Sequence, residues 1–150
     1  MKLIIHIDGG SRGNPGPAGA GVAIANEQGE AVLEVGYFLG RMTNNMAEYT
    51  ALLRALDEAA GCGATDILVY CDSELLVKQI NGEYRVKNET LKNYFDTAMT
   101  GLRKIGKWKV THVRREGNAR ADELANIAMD AGEDMIEIDR RRARTTDAVD

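Results

Sequence analysis

The sequence predicts an α/β fold: a mixed five-stranded sheet, three antiparallel strands followed by two parallel additions, flanked by helices. Two patterns carry this prediction. Three strand-like apolar runs follow one another near the start, with glycine-containing turns between them. Two further strand-like runs come later, each reached through helical segments, as parallel additions require. The length of 150 residues suits one domain around one hydrophobic core.

The first strand covers residues 2–8 and ends on Asp8. A stretch rich in glycine and proline follows, "GGSRGNPGPAGA", with five glycines and both prolines of the chain. A hairpin needs about two to five loop residues. The stretch therefore reads as a longer ordered loop beside a buried acid. Residues 18–26 and 31–39 read as the next two strands, joined by a turn at Gly29. Thr43 is placed to cap a helix whose Met46, Tyr49, Leu52, Leu53, Leu56 and Ala60 recur at three- and four-residue steps. Gly61 and Gly63 stop it.

Residues 66–72, "DILVYCD", form a continuous apolar run that predicts a strand buried on both faces. Two helices follow over 73–80 and 89–105, joined by the short "NGEYRVKN". Residues 107–113 alternate as a fifth strand, and 118–131 place Ala121, Leu124, Ala125 and Ala128 on one helix face. Beyond Gly132, mixed charge with few apolar residues is expected to form a flexible C-terminal tail over 132–150.

Composition narrows the function classes. No apolar run approaches the ~20 residues of a membrane span. The opening MKLII meets an aspartate within three residues and reads as a strand start, not a signal peptide. A cytoplasmic protein without a membrane partner is expected. Cys62 and Cys71 sit in no CxxC pattern and read as free thiols. The net charge of −4 argues mildly against nucleic-acid binding by bulk charge. That argument weakens if some of the acids hold divalent cations.

Four acids fall where open α/β sheets gather ligand-binding groups. Asp8 and Asp72 close the first and fourth strands, and Glu48 and Asp122 lie near the starts of two helices. Taken singly, each has a commonplace explanation as a turn, surface or capping acid. Clustered, they would repel and rise in pKa unless a cation compensated. Oxygen donors select hard cations such as Mg²⁺ or Mn²⁺, and in-line displacement at phosphorus uses two of them about 3.5–4 Å apart.

Four segments, "DGGSRGNPGPAGAG", "TNNMAEYTALLRAL", "CDSELLVKQINGEYRVKN" and "REGNARADELANIA", closely resemble type 1 ribonuclease H, in order over residues 1–131. The resemblance implies the ribonuclease H-like fold and a catalytic domain over 1–131. It also implies cleavage of the RNA strand of RNA–DNA hybrids with two Mg²⁺ or Mn²⁺ ions, leaving 3′-hydroxyl and 5′-phosphate ends. Asp8, Glu48, Asp72 and Asp122 match the family's acidic quartet, with Asp8 as bridging ligand. By the same match Gly9, Gly10, Ser11 and Asn14 would meet ribose 2′-hydroxyls, the group that separates RNA from DNA. Asn44 and Asn45 would hold substrate, and Asn88 would contact the DNA strand. No protein partner is implied, and a monomer is expected.

The chain departs from the family pattern twice. The loop before Asp122, "RREGNARA", lacks the histidine many bacterial members carry; Arg115 or Glu116 stands there instead. His6 and His112 lie inside strands and read as structural. The long basic, tryptophan-rich insertion of some members is also missing, which leaves Arg12, Lys78, Arg85 and Lys87 as candidate phosphate contacts. "DRRRAR", at 139–144, is a weaker candidate for the same role. A hybrid-binding module without turnover, and a DNA nuclease on the same fold, are the competing readings.

Overall fold

The computed structural model describes residues 1–141. Its strands are β1 (Lys2–Ser11), β2 (Gly16–Ala25), β3 (Ala31–Met42), β4 (Asp66–Cys71), β5 (Lys107–His112) and β6 (Met135–Asp139). Its helices are α1 (Asn44–Gly61), α2 (Glu74–Ile80), α3 (Glu89–Ile105) and α4 (Ala119–Ala131), with a 3-10 turn, Arg115–Asn118, leading into α4. The sheet order is β5-β4-β1-β2-β3-β6. The β1–β2–β3 meander is antiparallel, and β4 and β5 add in parallel beside β1. No helix among the described residues is long and apolar enough to cross a membrane.

The sheet has six strands, one more than the sequence predicts. The extra strand, β6, lies within the segment expected to be a tail and pairs antiparallel with β3 across Leu33–Gly36. Its five residues carry little signal of their own. Distant groups hold it: the free edge of β3, Asp134, whose carboxylate accepts from Phe38 N at 2.8 Å, and Arg141, which bridges Glu58 and Asp139. The rest of the expected tail, 142–150, with half of the "DRRRAR" run, lies outside the described residues.

The long loop expected after Asp8 is mostly strand. Antiparallel pairing continues through Gly9↔Ala20, Gly10↔Gly19 and Ser11↔Ala18, so only residues 12–15 turn. Pairing satisfies these backbone groups whatever the weak strand preference of glycine.

Nor is β4 buried on both faces. Ile67, Val69 and Cys71 point into the core, while Asp66, Leu68 and Tyr70 are only half-buried. On the core side, Leu3, Ile5, Ile7, Val22, Ile24 and Leu33 pack with Tyr49 and Leu52 of α1 and Leu102 of α3. On the opposite side α4 packs on β1, β2 and β3, and among the described residues no helix covers β4 and β5 there.

Three glycines let α4 sit directly on the sheet. A Cβ at Gly21 would overlap the Ala121 carbonyl, one at Gly36 would overlap that of Leu124, and one at Gly19 would lie 2.7 Å from that of Ala125. The alanines on the facing side of α4 complete this close approach. Thr43 caps α1 as expected, its hydroxyl accepting from Met46 N.

Candidate active site

The site forms where two strands stop pairing. The parallel ladder between β1 and β4 ends at Ile7↔Cys71, so Asp8 and Asp72, the next residues, emerge side by side. The α1 helix crosses beside them, close enough that a Cβ at Gly9 would overlap the Ala47 carbonyl. That approach lets Gly9 N donate to Glu48 Oε1 at 2.8 Å and fixes the carboxylate. The glycine seat on β2 and β3 delivers Asp122 from the first turn of α4. Finally, Asn118 Nδ2 donates to Ile7 O at 2.7 Å and ties the 3-10 turn to β1 immediately before Asp8.

All four acids line one cleft of about 220 Å³, together with Gly9, Gly10, Asn44 and Arg115. Asp8 and Glu48 are 8% and 7% exposed, which is rare for carboxylates without partners. Burial, with Glu48 and Asp72 nearby and a hydrogen bond shared with Asp122, pushes the Asp8 carboxyl far above the carboxylate range. Burial also raises Glu48, to about 8; the Gly9 amide and the Arg115 charge oppose that rise. Such a set retains protons until a cation replaces them. Ligand atoms of Glu48, Cys71 and Asp72 lie within 4.8 Å of one another. The Cys71 sulfur is buried and accepts from Ser73 N, so the cleft itself presents oxygen donors, which fit a hard divalent cation.

The other expected residues divide into two groups. Gly9, Gly10 and Asn44 line the cleft. Ser11 and Asn14 sit beside it, with Asn44 Oδ1 accepting from Ser11 N at 3.3 Å and Asn14 Oδ1 accepting from Asn44 N at 3.0 Å. Asn45 is exposed in the first turn of α1. Asn88 stands apart as the N-cap of α3, its side chain accepting from Leu91 N. Arg12 is drawn to α4, where it meets Asn126 and Asp130 at 3.1 and 2.7 Å. Lys78 lies against Tyr84, 4.9 Å from the ring centre.

Sequence reasoning missed Asn118 as an anchor and the Gly19, Gly21 and Gly36 seat for α4. The only local signal was a small-residue run in β2, "AGAG", facing a small-residue helix.

Residues 6–128 match the reverse transcriptase-like family. Ribonuclease HI of Halobacterium salinarum is 44% identical over 129 residues, covering 86% of this chain and 65% of that protein. A bifunctional protein of Mycobacterium tuberculosis is 43% identical over 132 residues, 87% of this chain and 36% of that one. The chain thus spans less than two thirds of either relative's length. Among solved structures, LC11-RNase H1 in complex with an RNA/DNA hybrid superposes with a TM-score of 0.83 at 44% identity, covering 87% of this chain and 98% of that one.

Proposed function

Because the chain belongs to the ribonuclease H family, we propose that it is a ribonuclease H, hydrolysing the RNA strand of RNA–DNA hybrids with two Mg²⁺ or Mn²⁺ ions. The products would carry 3′-hydroxyl and 5′-phosphate ends. One observation carries the reading: four acids from four distant segments converge in a single cleft that also holds Gly10 and Asn44. Family membership and the hybrid bound to the similar LC11 enzyme support the substrate class.

Asp8, Glu48, Asp72 and Asp122 would hold the ions. When bound, such ions activate water and stabilise the leaving oxygen of an in-line displacement. The chain's own residues do the positioning. Gly9 N–H holds Glu48 in one orientation, so the carboxylate enters the cleft pre-aligned. Gly10, where a Cβ would have room, leaves backbone accessible to a ribose 2′-hydroxyl. Asn44 and Asn14, joined by a hydrogen bond, present amides at the mouth of the cleft, and Ser11, Asn45 and Asn88 extend the substrate surface. Arg115 supplies positive charge beside Glu48, where the scissile phosphate would sit. Residues 1–131 would form the catalytic unit of a cytoplasmic monomer.

The test uses one labelled RNA strand annealed to DNA and to RNA, with an all-DNA duplex beside them, in Mg²⁺, Mn²⁺ or EDTA. Metal-dependent cutting of RNA in the hybrid, lost in Asp72→Asn, is expected. Hybrid left intact under every metal by folded protein would refute the hydrolytic reading in favour of a binding module. Cutting of the all-DNA duplex alone would point to a DNA nuclease.

A further inference from the structure

Outside the cleft, the sheet face that α4 leaves bare carries a second constellation. Its residues follow from strand alternation: Lys2, Ile4 and His6 on β1, Asp66, Leu68 and Tyr70 on β4, and Lys107, Lys109 and Thr111 on β5. His6 and Tyr70 are register partners, and their rings stack with centroids 4.8 Å apart and planes 24° apart. The next register partner of Tyr70 is Thr111, a side chain too small to cover the other face of the ring. The space left there is a cavity of about 440 Å³ reaching from Tyr70 and Thr111 to Lys109 and Lys107. That volume falls within the range of small-ligand sites.

The charge of this face opposes that of the chain. The whole protein carries −4, yet three lysines stand on these three strands. Among the described residues, the acids on this face are Asp66, 3.9 Å from Lys107, Glu34, already engaged by Arg120 at 2.7 Å, and Asp8 and Asp72 at the cleft end, away from Lys107 and Lys109. Lysines ringing a slot with one aromatic wall match a base and its flanking phosphates, the combination used by single-strand-binding sheets.

We propose that this face binds a single-stranded nucleic-acid segment, one base entering the slot as the third ring of a His6–Tyr70–base stack, its phosphates on Lys107 and Lys109. Tyr70 and His6 precede Asp72 and Asp8 by two residues along the chain, about 7 Å away. A single strand leaving the hybrid at the cleft therefore reaches the slot within one or two nucleotides.

Binding is measured with a fluorescein-labelled oligo(dT) in EDTA, by anisotropy. Tyr70→Ala is expected to weaken binding about five- to a hundredfold, the span of one lost base–aromatic stack. Lys109→Glu, at an exposed position that tolerates substitution, is expected to weaken it and flatten its salt dependence. Both variants keep cleavage of blunt-ended hybrid. Equal affinity in wild type and in Lys109→Glu, or in wild type and in Tyr70→Ala, overturns the proposal. No metal or cleavage enters this measurement, so its failure leaves the hydrolytic reading standing, and the reverse also holds.

Discussion

Gly21→Ala tests the link between packing and chemistry, because Gly21, the cross-strand partner of Asp8, places no side chain of its own in the cleft. A methyl there would run into the Ala121 carbonyl and stand 3.0 Å from Ala125 N, where ordinary contact begins at 3.4 Å. Backbone opposes it on both sides, so no side chain can swing away. The helix must lift by roughly 1 Å, carrying Asp122, the residue after Ala121, away from Asp8; a misplacement of that size costs about 100-fold in rate. The overpacking costs about 1–3 kcal/mol, and each kcal/mol lowers Tm by about 2–4 °C in a domain of this length. Steady-state cleavage of a labelled hybrid and thermal melts read the two effects. Gly61→Ala is the control: it ends α1 with nothing within 4 Å, so activity should hold and stability shift by less than about 1 kcal/mol. A Gly21→Ala protein with wild-type kcat would refute the reasoning. With an unchanged Tm it would show that α4 does not rest on the glycine backbone; with a lowered Tm, that Asp122 is outside the chemistry.

Three further outcomes follow from the buried acids and their anchors. In EDTA the folded chain keeps protons on Glu48, to about pH 8, and on Asp8, which an unfolded chain releases near pH 4. The folded state thus binds more protons across that window, and metal-free stability should fall as pH rises from 5 to 8. Added Mg²⁺ should reverse the loss, and a Tm that is flat or rising over the window would contradict it. Glu48→Gln keeps an acceptor for Gly9 N but removes one buried charge. It should match or exceed wild-type Tm in EDTA at pH 8 and lose about 100-fold or more in kcat; full activity would remove Glu48 from the site. Asn118→Ala deletes the bond to Ile7 O in a buried setting and should cost about 1–3 kcal/mol in urea melts. A change below about 0.5 kcal/mol would mean that the 3-10 turn is held elsewhere.

Local chemistry was enough to place most elements and the four acids. The strands of β1 to β5, the Thr43 cap and the apolar faces of α1 and α4 are written in periodicity and capping, properties of neighbours within a few residues. The acidic quartet was legible because each member lies within a family-like segment, although β1 runs three residues past Asp8. Other features depend on residues far apart in the chain. Strand β6 exists because the edge of β3 offers unpaired backbone and Arg141 reaches Glu58, 83 positions away. The glycines at 19, 21 and 36 lie inside the predicted strands, and nothing local marks them as a seat until α4 lies on them. The meaning of Gly9 depends on α1 passing over it, and that of Asn118 on a carbonyl 111 positions away. Local sequence determined which residues could be strand, helix and acid. Only tertiary packing, where backbone meets backbone without intervening side chains, decided that the acids share one cleft and that α4 covers only part of one sheet face.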